Sequence, residues 1–232
     1  MKIKFNGKTI SNIKDWEKEV FSGKKKIHWK VGRSAYSLAD FIINKNGKVD
    51  IKKEIIKVIG VDLTFNIAHP EYEVQFDKFG HGREHDLGIF GVTKSGKKVF
   101  IGIEAKVDEP FGDTIAESYI KGKIKELNGK NTNAPKRIEK LLKSNFGIIK
   151  NSHFKLPYQL LFSTAGTLSV DADIHIFFVI VFKTYLSNAL KVTQNKNKYI
   201  KFHEELGAVK MPNNCYKTII NGRELYSIYM TK

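Results

Sequence analysis

Asp86, Glu104 and Lys106 are the residues of this chain whose types and spacing could do chemistry. Glu104 and Lys106 are two apart in the alternating run from Val99 to Val107, so on a strand both side chains leave the same face. Asp86 belongs to the preceding alternating segment, across a turn at Ser95-Gly96. Where register brings it to that face, two carboxylates converge with a lysine beside them. Such a pair holds Mg²⁺ through oxygen, with Mn²⁺ as a substitute. An ion there supplies polarisation of a phosphodiester and acidification of a water. The lysine orients that water or offsets charge on the phosphoryl oxygens. The expected chemistry is metal-dependent phosphodiester hydrolysis.

Acid-x-lysine alone also describes a solvated strand face with a surface ion pair. Three features favour the chemical reading. Val99, Ile101, Ile103, Ala105 and Val107 make the other face apolar, as in a central strand. Gly102 leaves room for a substrate, and an acid stands on the preceding strand at hairpin distance.

These residues need elements to position them. The chain reads as helical from about Ile13 to Gly60. Ser34 is placed to cap one helix, with Gly47 past its end. Asp50 is placed to cap the next, where Ile51, Ile55, Val58 and Ile59 form a stripe closed by Gly60. From Tyr72 the period becomes two: Tyr72 to Phe76, Asp86 to Gly91 and Val99 to Val107 predict an antiparallel meander. Helices are expected over Thr114–Leu127, Pro135–Phe146 and Tyr158–Leu168, with a polar loop at Asn128–Ala134. Ile174 to Phe182 predicts a central strand covered on both faces. A polar stretch from Asn188 to Lys198 leads to a helix near Tyr199–Leu206, and Leu225–Met230 adds a last strand. The order predicts an α/β layered architecture.

The core pattern, Asp86 followed by Glu104-Ala105-Lys106, resembles the PD-(D/E)XK, or restriction-endonuclease-like, nuclease superfamily. The flanks resemble a group of small prokaryotic members: GRSAYSLADF at 32–41, HDLGIFG at 85–91, IEAKVDEPFGD at 103–113 and YQLLFSTAGTL at 158–168. His85 stands where the proline that names the superfamily would be, and Ser163 where some exonuclease relatives carry tyrosine. The resemblance implies a central mixed β-sheet flanked by helices, with Asp86 and Glu104 on Mg²⁺ and Lys106 beside them. It also implies an acid from an N-terminal helix. Glu54, at the edge of the apolar stripe, is the candidate. Gln159 opens an otherwise apolar helix and is a candidate to touch the site or a phosphate, or to make a core hydrogen bond. Many relatives with one site per chain cut duplexes as homodimers, and a defence-system partner is a further possibility.

Bulk properties agree with a polyanion partner. The chain has 232 residues, with 40 Lys+Arg against 24 Asp+Glu, a net charge of +16. Such a balance draws a protein to nucleic acid, here expected to be DNA. The reading is one nuclease-like domain over 1–232, with a helical part at 1–60, a catalytic core at 61–185 and a C-terminal extension at 186–232. Cys215 is the single cysteine, which excludes an internal disulfide and a multi-cysteine zinc site and fits a reducing cytoplasm. No apolar run suits a membrane span or a signal peptide. The alternative function is a catalytically weak nuclease-fold module that binds nucleic acid or serves a defence complex.

Other residues invite weaker readings. His81 and His85 have zinc-like spacing, but the flanking glycines argue against a shared helix face. His81 and Arg83 are expected in a loop near substrate phosphates. Glu109 either recruits a second ion or caps, and Asp113 is expected to cap the helix that follows it.

Overall fold

Alternating segments build the sheet, and apolar helical stripes cover it. The computed structural model describes residues 1–232. The strands are β1 (Lys2–Phe5), β2 (Lys8–Thr9), β3 (Leu63–Val74), β4 (Arg83–Thr93), β5 (Lys98–Lys106), β6 (Ile174–Val181), β7 (Val209–Met211), β8 (Cys215–Ile220) and β9 (Arg223–Thr231). They form a nine-stranded sheet in the order β2-β1-β3-β4-β5-β6-β9-β8-β7. The β3-β4-β5 meander is antiparallel, whereas β6 pairs parallel with both β5 and β9. The sheet is therefore mixed, and the C-terminal strand lies inside it.

The helices are α1 (Ile13–Val20), α2 (Ser34–Asn44), α3 (Gly47–Ile59), α4 (Ile115–Leu127), α5 (Ala134–Phe146), α6 (Tyr158–Ser169) and α7 (Ala189–Glu205). Strand parity decides which helices each face meets. Ile101, Ile103, Ala105, Ile176, Phe178 and Ile180 share a core with Trp16, Leu38, Phe41, Ile51 and Ile55 of α1–α3. Phe177, Val179 and Val181 share the other core with α4–α7, through Ile115, Ile138, Leu160 and Tyr199. β6 is buried from His175 to Val181, as its unbroken apolar run requires. The protein is an α/β fold with a large mixed sheet flanked by helices.

Several local readings change. β3 begins at Leu63 rather than Tyr72. Its alternation is interrupted by a bulge between Phe65 and Ile67 and by a left-handed residue, Glu71 at φ 47°. Each interruption masks period two in the sequence. α7 starts ten residues before Tyr199, at Ala189. Asn188 caps it by accepting from Lys191 N at 3.1 Å, and buried Asn195 donates to the Glu109 carbonyl at 2.7 Å. Polar residues thus serve inside a helix that looked like a loop. Caps also move. Ser34 is the first residue of α2 and donates through Oγ to Glu109, while Asn46 precedes α3 where Asp50 was expected. Thr114, not Asp113, caps α4 through a reciprocal box with Glu117; Asp113 pairs with Lys121 at 2.6 Å. No helix is long and apolar enough to cross a membrane.

Candidate active site

The β4–β5 ladder stops at Leu87–Ile103, so the next residues of the two strands part. Asp86 stands at this opening. Its Oδ2 accepts from Ala105 N at 2.7 Å, replacing the ladder bond with a side-chain bond. Glu104 and Lys106 lie on the α6 side of β5, 2% and 8% exposed. Lys106 Nζ is 2.9 Å from Glu104 Oε1 and sits 5.6 Å over the Phe111 ring. Gln159, at the start of α6, donates to Glu104 Oε1 at 2.6 Å. Asp86, Glu104, Lys106 and Gln159 are thus brought together by β4, β5 and α6.

Glu54 does not join them. It lies on α3, across the sheet from α6, and pairs with Lys57 at 2.7 Å. Its charge is felt by Cys215 of β8, whose thiol is pushed up to about 11, by burial first and Glu54 second. The apolar stripe of α3 faces the α1–α3 core, so its edge cannot reach a site on the opposite face.

Two further residues stand beside the site: Arg83, expected in a loop near substrate phosphates but found as the first residue of β4, and Glu71, which sequence reasoning missed. The Arg83 guanidinium donates to Glu104 Oε2. Parity along β4 would send Arg83 and His85 to the same face as Leu87. The alternation reverses at Glu71, and the residues beyond it face the Phe100 side of the sheet. Tyr72 lies 6.0 Å from Phe100, and Val74 packs with Phe100 and Val170. His85 faces the same way and ends 5.8 Å from the Phe100 ring. A Cβ on Gly102 would come 2.7 Å from both His85 Cε1 and Thr167 Oγ1. Gly102 therefore makes room for protein packing, not for substrate. His85 is buried, and burial together with Arg83 holds its pKa well below the usual imidazole range. His81 is exposed and far from any shared ligand geometry with His85.

The missed residue is Glu71, across β3–β4 from Asp86 and 14% exposed. Lys25 bridges it to Glu84, at 2.9 Å from each carboxylate. Burial pushes Glu71 up to about 7, against the pull of Lys25. No local sequence signal marks a left-handed glutamate within a strand.

Charges in the cluster are strongly linked. Burial, then Glu104 and Glu71, holds Asp86 well above the usual carboxylate range. Burial opposes ionisation of Glu104, but Lys106 and Arg83 outweigh it and hold its pKa low. Burial also opposes the Lys106 charge, and Glu104 and Asp86 outweigh it. At neutral pH Glu104 is an anion between two cations, and Asp86 is the carboxyl short of positive charge.

Comparison with known families matches residues 9–232 to a domain of unknown function, DUF6946. The chain belongs to this family. No curated protein and no solved structure matches it.

The donor set of this DUF6946 chain fits a hard divalent cation. Both residues are oxygen donors: one Asp86 oxygen accepts no bond within the protein, while Arg83, Lys106 and Gln159 take the two Glu104 oxygens that would have to be shared. No three His, Cys, Asp or Glu side chains converge as a cage. Mg²⁺ does not need one, because it keeps several waters and binds through one or two carboxylates plus substrate phosphates. Arg83 holds the Glu104 oxygen that such an ion would share.

Proposed function

We propose that the chain is a restriction-endonuclease-like nuclease of the PD-(D/E)XK type, dependent on Mg²⁺ and hydrolysing phosphodiesters in DNA. The observation that carries this reading is the convergence of Asp86, Glu104 and Lys106 where β4 and β5 part. Asp86 and Glu104 are the residues that would hold the ion. A bound Mg²⁺ supplies Lewis-acid polarisation of a phosphoryl oxygen and acidifies a water. Lys106 stays protonated beside Glu104 and donates to the attacking water or to a phosphoryl oxygen as charge develops. Gln159 fixes one Glu104 oxygen, and Arg83 adds a second cation next to the scissile phosphate. The net charge of +16 supports a polyanionic substrate.

The test is incubation of purified protein with plasmid, linear DNA and RNA under Mg²⁺ and Mn²⁺. Cleavage by the wild type should be lost in Asp86→Asn and in Lys106→Ala. Cleavage retained by both variants would sink the assignment.

One observation favours a second reading. Arg83, Lys106 and Gln159 already occupy both Glu104 oxygens, as in a structural polar cluster. A nucleic-acid-binding or defence-complex subunit with little catalysis would need no more. Calorimetry separates the two: Mg²⁺ or Mn²⁺ binding that depends on Asp86 and Glu104 belongs to the nuclease alone.

A further inference from the structure

A cavity of about 550 Å³ opens at the carboxyl edge of the parallel strands, on the α2 side of the sheet. That volume lies within the range of small-ligand sites, which runs from about 300 to 1,000 Å³. Its walls include Tyr36, Phe41, Phe182 and Tyr185, with Lys183 and Lys232. Two of the rings are braced. Tyr36 meets Trp29 edge-on at 5.3 Å. Tyr185 lies over Gly32, where a Cβ would come 3.0 Å from its ring and where φ is 81°. One side of Tyr185 is thus seated on backbone, and the residue remains 79% exposed. A seated aromatic ring with an open face is a stacking platform.

The charges at the cavity are settled except one. Asp40 pairs with Lys45 at 2.7 Å, and Asp50 pairs with Lys232 at 2.6 Å. Lys183 is exposed and makes no ion pair, so the cavity carries one free cation. The cavity and the candidate active site lie on opposite faces of the sheet and share its carboxyl edge. Phe182 N donates to the Lys106 carbonyl at 2.8 Å, and Arg33, next to Gly32, pairs with Asp108 at 3.1 Å. The Lys106 side chain leaves the other face of the same edge.

We propose that this cavity takes one unpaired nucleobase of the substrate strand, stacked on Tyr185 and Tyr36, with its phosphate at Lys183. The strand then crosses the carboxyl edge to the Asp86–Glu104–Lys106 cluster, so the substrate is single-stranded or frayed nucleic acid. The path of the strand rests on the nuclease reading; the base site itself does not. A base held in a duplex stack cannot enter without being unpaired first.

The experiment uses full-length Asp86→Asn protein, so that binding is read without cleavage. Fluorescence anisotropy compares a short single-stranded oligodeoxynucleotide with its blunt duplex. The single strand should bind at least about tenfold tighter, and Tyr185→Ala should weaken it by about tenfold, as loss of one base–aromatic stack does. Tyr185→Trp should keep the affinity, and Lys183→Glu should lower it. Photocrosslinking with a 5-iodouracil oligonucleotide should label Tyr36 or Tyr185, mapped by mass spectrometry. Equal affinity for the duplex, indifference to Tyr185→Ala, or crosslinks confined to other elements overturns the proposal. So does full competition by a free mononucleotide at equal concentration, which would make the cavity a small-ligand site. Tyr185-dependent binding by a wild type that cleaves nothing keeps the base site and removes the nuclease. Cleavage indifferent to Tyr185 removes the base site alone.

Discussion

Glu71 stands across the β3–β4 ladder from Asp86, between the pairs Pro70–Leu87 and Tyr72–His85, in a left-handed conformation with φ 47°. A non-glycine residue held there costs on the order of 1–3 kcal/mol. The surroundings over-determine it: Lys25 clamps its carboxylate, and the hairpin beyond it packs on Phe100 and Val170. Beyond the reversal, Arg83 faces the side of Glu104 and donates to it. Glu71 thus lies at the point where the alternation reverses and adds a third carboxylate to the charge around Asp86.

Glu71 predicts a pH dependence of stability. Its folded pKa is about 7, above the ordinary 4.5, so the folded state keeps a proton that the unfolded chain has lost. Its contribution is therefore full below the unfolded value and declines as pH rises toward about 7. Glu71→Gln should flatten that decline. Denaturant melts of both proteins across this window check it, and parallel curves would exclude Glu71 as the source.

Lys106 should act through charge in the transition state. Lys106→Ala is expected to lower the single-turnover cleavage rate by roughly 10²–10³-fold, as loss of one electrostatic stabiliser does. Lys106→Arg should restore part of the rate. A change confined to substrate affinity would assign Lys106 to binding only.

Arg83 and a divalent cation would share Glu104. Arg83→Ala removes a charge-assisted bond worth roughly 1.5–3 kcal/mol, so Mg²⁺ affinity should rise by about tenfold or more. Isothermal titration measures it. Weaker Mg²⁺ binding would show that Arg83 holds Glu104 in place for the ion instead of competing with it.

Gly102→Ala should destabilise the protein by about 1–3 kcal/mol, the usual cost of overpacking. The added carbon would stand 2.7 Å from His85 and Thr167, on the buried side of β5. Urea denaturation reads the loss. An unchanged midpoint would mean that His85 yields freely.

Glu54→Gln should leave cleavage within about twofold of wild type, since its only ion pair, to Lys57, is a surface pair on the opposite side of the sheet. Loss of cleavage together with a normal melting curve would return Glu54 to the site.

What could be read in the sequence followed from local periodicity. Alternation from Val99 to Val107 fixed which side Glu104 and Lys106 share, and the structure keeps it. The unbroken run of β6 announced a central strand. Where periodicity is interrupted, the local pattern no longer marks the element. The bulge and the left-handed residue of β3 hide the alternation of its first half. Buried Asn195 gives the first half of α7 the composition of a loop.

By itself, the sequence determined the layered α/β order and placed an acid and an acid-x-lysine pair on adjacent strands. Those properties depend on neighbours along the chain. The tertiary structure alone decided the membership of the site. It admitted Gln159 through the docking of α6 and Arg83 through the reversal at Glu71. It excluded Glu54, because α3 covers the opposite face of the sheet. Which distant side chains meet depends on how faces stack and where a strand's alternation reverses, and no spacing along the chain encodes either.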